Sequence, residues 1–290
     1  MSKQPPIQQP PPAMRMLVKY GKLGPARFAS HRDFARAFER ALRRGDIDMA
    51  YSSGFNPHQR VSYVNPSPTG AESVAEYVVI ALKNVCDPDT VKAALAPAMP
   101  PGMPILEVST LVGDVSFEAS LWEIDISSDA EPVALPTSSS RHSARSRRIH
   151  LTDVDPATPR RMTEDWVSNQ RFPTDLGARV EQALAEFDAA QEVLVTRDGK
   201  NGPRTFDAKA AVRSLKVVPP NASNNLPTPD GESVALQVVI QHTEPLVRPE
   251  DVVSALRAQT PDLDDGFPPR TKRLAQGSVS ALLAIVGTPR

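Results

Sequence analysis

The chain has 290 residues, with 33 Lys and Arg against 34 Asp and Glu and a formal net charge of −1. No bulk field therefore draws it to nucleic acid or to an anionic membrane, and any basic surface is local. The single cysteine, Cys86, excludes an intramolecular disulfide, a Cys-rich zinc site and a three-cysteine iron–sulfur motif within this chain.

Length suggests about two domains, each large enough to bury a core. Residues 1–13 form a Pro/Gln tail with little to bury, expected to be disordered. With no apolar run of about 18 residues and no signal-peptide core in the opening stretch, the expectation is a cytoplasmic protein without a membrane partner. From Arg15 the pattern sharpens. RMLVKYGKL reads as a strand, SHRDFARAFERALRRG as a helix, RVSYVN and EYVVIAL as two strands, DPDTVKAALAPAM as a helix and ILEVSTLV as a strand. Ser30 and Asp33 form a capping box at the start of the first helix, and Gly45 ends it. The order βαββαβ over 14–112 satisfies the ferredoxin-like rule.

A second unit is expected over 118–288. LWEIDIS reads as a strand, and a Ser-, Pro- and Arg-rich insertion over 128–172 is expected to be disordered. The helix DLGARVEQALAEFDAAQ and the strand EVLVTRD follow, with RTFDAKAAVRSLKVV a mixed segment. After a polar loop come a strand VALQVVIQ, a helix RPEDVVSALRAQ and a last strand VSALLAIV. The fold class expected is thus α+β, two tandem ferredoxin-like domains with an insertion in the second.

On the first helix, Arg32, Arg36, Arg40, Arg43 and Arg44 share one third of the circumference, opposite Phe34, Phe38, Ala41 and Leu42. Like charges at i, i+4 repel by roughly 0.2–0.5 kcal/mol per pair. A stripe diluted only by Asp33 and Glu39 suits a polyanion, because each neutralised phosphate adds salt-dependent affinity. A solvated face in an Arg-rich chain is the plain alternative. Downstream, YSSGFNPHQRVSYVNP combines turn chemistry (Gly54, Asn56-Pro57) with two residues that a turn does not need, Phe55 and His58.

These segments resemble the radical-SAM-linked family, a domain of unknown function. The resemblance rests on Arg27, Phe28, Ser30, His31, Asp33, Arg40, Arg43 and Arg44, then Ser53, Gly54, Phe55, Asn56, Pro57 and His58, and ends with Gly70, Ser73 and Glu76. TFDAKAAVRSLKV and PPRTKRLAQG look like fainter family segments. Members are often fused to, or encoded beside, cobalamin-binding radical SAM proteins, and some lie near ribonuclease E/G genes. The resemblance therefore implies a radical SAM protein or ribonuclease E/G as partner and supplies no reaction. This chain lacks the cysteines of a radical SAM half, so no cofactor is assigned to it.

His31 and His58 are the candidate catalytic residues, since histidine supplies acid and base near neutral pH. Scattered His and carboxylate positions (Asp33, Glu72, Glu76) do not make a metal signature, and no metal is assigned. Cys86 reads as a small filler. Arg204, Lys209, Arg213, Arg270, Lys272 and Arg273 read as solvated edges. The function expected is an RNA- or ribonucleoprotein-binding adaptor, with no DNA expected, in which Arg32, Arg36, Arg40, Arg43, Arg44, Phe55 and His58 contact nucleic acid. The alternatives are a histidine-based endoribonuclease, the substrate-binding half of a split radical SAM system, or a purely protein-docking module.

Overall fold

A computed structural model describes residues 8–127, 176–199, 202–218, 233–260, 263 and 269–287. The insertion expected over 128–172 lies outside the described residues, as do residues 1–7 of the tail. The first half comprises β1 (Met14–Lys22), α1 (His31–Arg44), β2 (Val61–Val64), β3 (Glu72–Leu82), α2 (Pro88–Leu95) and β4 (Ile105–Thr110). The second comprises β5 (Ala119–Ser127), α3 (Leu176–Ala189), β6 (Leu194–Gly199), β7 (Gly202–Asp207), β8 (Val212–Val218), β9 (Ser233–Gln241), α4 (Pro249–Gln259), β10 (Arg270–Gly277) and α5 (Val279–Val286). The chain is a mixed α+β protein built on its sheet. Among the described residues, no helix is long and apolar enough to cross a membrane.

Eight strands form one sheet in the order β4-β1-β3-β10-β5-β9-β8, with β2 also on β3; β6 and β7 pair separately. Within the first half the order is β4-β1-β3-β2, and within the second it is β10-β5-β9-β8. The expected strand EVLVTRD lies in the separate β6–β7 pair, and β8 stands in the sheet instead. The two sets of four strands are joined edge to edge. The reason lies in the length of β3, which spans 11 residues. β1 runs along one of its edges, from Ser73 to Leu82. On the other edge β2 covers only Tyr77 to Ile80, so the start of β3 remains open. Lys272 and Arg273 of β10 pair there, in parallel, with Glu72 and Ser73.

Two helical layers lie on one face of this sheet. Phe34, Phe38 and Leu42 of α1 and Val91 and Leu95 of α2 pack on Met16, Val18, Val78 and Ile80. In the second half, Val180 and Phe187 of α3 and Val252 and Leu256 of α4 pack on Trp122, Ile124, Leu236 and Val238. Each fully buried side chain of this size contributes roughly 1.5–3 kcal/mol. Leu121 and Val239, one residue out of phase with Trp122 and Val238, meet Leu282 and Val286 of α5. By strand alternation α5 covers the opposite face.

Three further expectations need correction. VSALLAIV is the helix α5, with Ser278 capping it by accepting from Ala281 N–H. The last strand is RTKRLAQG, β10, whose charged residues hid it. The end of the 1–13 tail is not free, because Gln9 N–H donates to Ser53 Oγ at 2.9 Å and Ala13 N–H to the Leu82 carbonyl at 3.0 Å.

The joint between the halves is polar and buried. Arg273 is 3% exposed and Glu76 is 1% exposed. Arg273 Nη2 donates to Glu76 Oε1. The other oxygen, Oε2, accepts from Ser67 N–H at 2.9 Å, and Gln276 Nε2 donates to the Ala75 carbonyl at 2.7 Å. Lys22 Nζ donates to the Pro68 carbonyl at 3.0 Å. Burial lowers the Lys22 pKa, while the Glu76 charge opposes this.

Removing one member of a buried ion pair strands the other charge, at a cost of about 3–5 kcal/mol, whereas an apolar replacement of both is often neutral. Arg273→Met is therefore expected to lower the urea midpoint sharply. Adding Glu76→Leu to it should recover most of the loss. A double variant no better than the single one contradicts the pair as the constraint.

Candidate nucleic-acid interface and the cleft between the halves

The start of α1 is fixed locally. Ser30 Oγ accepts from Asp33 N–H at 3.2 Å, and Asp33 Oδ2 accepts from Ser30 Oγ–H at 2.6 Å and Ser30 N–H at 3.3 Å. The Ser30 hydroxyl, then its backbone N–H, hold the Asp33 pKa below the usual carboxylate range. Arg32, Arg36, Arg40, Arg43 and Arg44 are all exposed, while Phe34 and Phe38 are 3% and 0% exposed. None of the five arginines forms an ion pair among the described residues.

The motif residues divide into two groups. Arg27 lies over the Phe28 ring at 4.8 Å and 3.8 Å from Glu72 Oε1, and its carbonyl accepts from Gly70 N–H at 2.8 Å. Gly70 has φ +98°, a region that favours glycine. These contacts tie the 24–28 turn to the connection between β2 and β3. Ser73 is fully buried and its Oγ accepts from Ala75 N–H, while Glu76 belongs to the joint already described. The motif positions Gly70, Ser73 and Glu76 therefore build the joint and its adjoining loop.

The second group forms the loop within YSSGFNPHQRVSYVNP. Ser52 N–H donates to the His58 carbonyl at 2.8 Å, and His58 N–H to Ser52 Oγ at 3.0 Å. Arg60 Nε donates to the Tyr51 carbonyl at 3.1 Å, and Gly54 has φ +149°. Ser53, Asn56 and Phe55 are exposed. Phe55, expected to contact nucleic acid, is 70% exposed. His31 lies edge-on to Tyr63 with ring centroids 4.7 Å apart. His58 engages Ser52 instead, and no contact joins the two histidines among the described residues. Burial, with the Glu39 charge in support, raises the Tyr63 pKa.

Three basic residues of the second half are committed internally. Lys209 Nζ donates to the carbonyls of Asp188 and Ala190 behind α3, Arg213 binds Gln241, and Arg273 is buried. Their side chains do not extend the stripe.

What the sequence did not reveal is a cleft of about 310 Å³ between the halves. Asn65, Pro66 and Pro68 of the β2–β3 connection line it together with Trp122, Ile240 and Val247. Ser120, His242, Arg248 and Arg273 supply its polar atoms. His242 Nδ1 lies 2.8 Å from the Phe117 carbonyl, which demands a proton on Nδ1. Nε2 is then bare and accepts from Ser120 Oγ–H at 2.8 Å. Asn65 Nδ2 lies 3.3 Å from Nδ1, against the same ring edge. Burial holds the His242 pKa below its usual value; the Phe117 bond opposes this and the Arg273 charge reinforces it. A lone histidine at a strand end has no spacing signal, so only the fold could reveal this group.

Because the folded chain keeps His242 neutral, the unfolded chain binds the extra proton as pH falls below about 6.5. His242 thus adds stability above that pH and loses it on acidification. Asp125 and Glu250, whose pKa values burial raises, act in the opposite sense and are common to both chains in a comparison. The melting temperature of His242→Gln should fall less than that of the wild type between pH 7.5 and 5. Equal falls contradict a ring held neutral.

No curated protein matches the chain. Among solved structures, the chain is similar to an unknown protein from Galdieria sulphuraria, with 11% identity, coverage of 90% of this chain and 96% of that one, and a TM-score of 0.21. It is also similar to Thermus thermophilus Cse3 bound to an RNA representing a pre-cleavage complex, with 14% identity, coverage of 83% and 89%, and a TM-score of 0.20. Neither likeness bears on the fold or chemistry of this chain. Residues 15–249, most of its length, match the family described as uncharacterized protein conserved in bacteria, DUF2344, and the chain belongs to that family.

Proposed function

We propose that the chain is an RNA- or ribonucleoprotein-binding adaptor of the cytoplasm that acts with a separate radical SAM or ribonuclease partner. The observation that carries this is the α1 surface: five exposed arginines on one helix, none in an ion pair among the described residues. A stripe that neutralises itself with neighbouring carboxylates would serve solubility. One left uncompensated serves a polyanion, whose counterions it releases on binding. Exposed Phe55 and Phe28, at 70% and 52%, offer ring faces to unstacked bases. The repeated order β4-β1-β3-β2 and β10-β5-β9-β8 supports reading each half as a ferredoxin-like unit. Binding and presentation, with the chemistry left to the partner, fit the separation of His31 from His58.

Arg36→Glu combined with Arg40→Glu tests this by fluorescence anisotropy with a labelled single-stranded RNA. Surface substitutions of this kind usually change stability by less than about 0.5 kcal/mol, so the melting temperature should hold. The slope of log affinity against log salt should become shallower by at least about 1, as two phosphate contacts are lost. Unchanged affinity and slope in a folded variant would falsify the adaptor reading.

A further inference from the structure

The cleft between the halves has a lining of uneven chemistry. Among the described residues no carboxylate lines it, but two arginines do, Arg248 and Arg273. Arg248 is exposed at the start of α4, an 11-residue helix whose N-terminus adds partial positive charge. Asp251 Oδ2 accepts from Arg197 Nη1 at 2.6 Å and from Arg248 N–H at 2.8 Å, so the Arg197 guanidinium matches this carboxylate. On the floor, Arg273 spends Nη2 on Glu76, while its buried Nε has no acceptor among the described residues. The apolar lining comes from Pro66, Pro68, Leu246, Trp122, Ile240 and Val247, of which Pro66 and Leu246 are exposed and the last three almost fully buried. Between walls and cations sit the neutral His242–Ser120 pair and the Asn65 amide, which can meet both donors and acceptors.

We propose that this cleft binds one nucleotide, with the phosphate at Arg248 and the start of α4 and the base against the apolar lining of Pro66, Pro68 and Leu246. An anion alone would need no apolar walls, and an apolar ligand alone would leave the cationic end unpaired. The volume, about 310 Å³, lies at the small end of ligand pockets and suits a single nucleotide unit. The Asn65 amide addresses the base edge, as amides do in recognition of unstacked bases. The proposal rests on the RNA reading for the source of that nucleotide: α1 attracts the strand and the cleft takes one unit of it.

Isothermal titration of the full chain with UMP, AMP, uridine and inorganic phosphate tests it. Saturable binding of UMP or AMP is expected, with uridine and phosphate each weaker by about tenfold or more, as loss of one charge-assisted contact implies. Arg248→Ala should weaken UMP or AMP by a similar factor, and a single-stranded RNA should compete with the bound nucleotide. The Arg36→Glu, Arg40→Glu variant should bind the mononucleotide as the wild type does. If that variant binds RNA normally while UMP binding still depends on Arg248, the stripe reading fails and the cleft stands. If RNA binding depends on the stripe but no mononucleotide binds, or phosphate binds as tightly as UMP, the cleft proposal is overturned.

Discussion

The buried Glu76–Arg273 pair sits at the single place where the two halves share a sheet, and the rest of the molecule is arranged around it. Its carboxylate also takes the Ser67 N–H, so the ion pair fixes the β2–β3 connection as well as β10. That connection presents Asn65, Pro66 and Pro68 to the second half. A charge pair in this position imposes register: sliding β10 by one residue along β3 would bury Arg273 without its partner. Apolar residues would glue the two edges together without specifying where. The Trp122 ring, 5.1 Å from the Arg273 guanidinium, extends the same constraint onto the cleft wall.

The first half was largely legible from sequence because local signals agreed there. The Ser30–Asp33 box, the Phe34–Phe38–Leu42 face and the alternation in β3 point to the same elements that the fold contains. The second half misled where local signals were silent. β10 carries Arg270, Lys272 and Arg273, a pattern read as solvated, and its inward arginine donates to a residue 197 positions earlier. VSALLAIV is a short apolar run, eight residues long, that periodicity cannot assign to strand or helix. Its N-cap, Ser278, was the available clue.

The same logic explains the fate of the motif residues. Gly70, Ser73 and Glu76 stood out in sequence together with Ser53, Gly54 and His58, as residues that carry one family resemblance. The fold separates them by task. Gly70 and Glu76 secure the joint, whereas the 51–60 loop closes on itself through Ser52 and His58 and leaves Phe55 in solvent. The cleft draws Asn65 from one half and Ser120, His242 and Arg248 from the other, so no contiguous stretch of sequence contains it.

Arrival of RNA at α1 and in the cleft is the central claim, and photocrosslinking reads both places at once. A single-stranded RNA carrying 4-thiouridine, irradiated with the purified full chain and digested, should leave nucleotide adducts on peptides from two regions. One set should map to residues 31–44 or to the Phe55 loop. The other should map to the cleft segments around Asn65, Trp122 and His242. Adducts confined to α3, α5 or the β6–β7 hairpin, or none at all, would contradict the account.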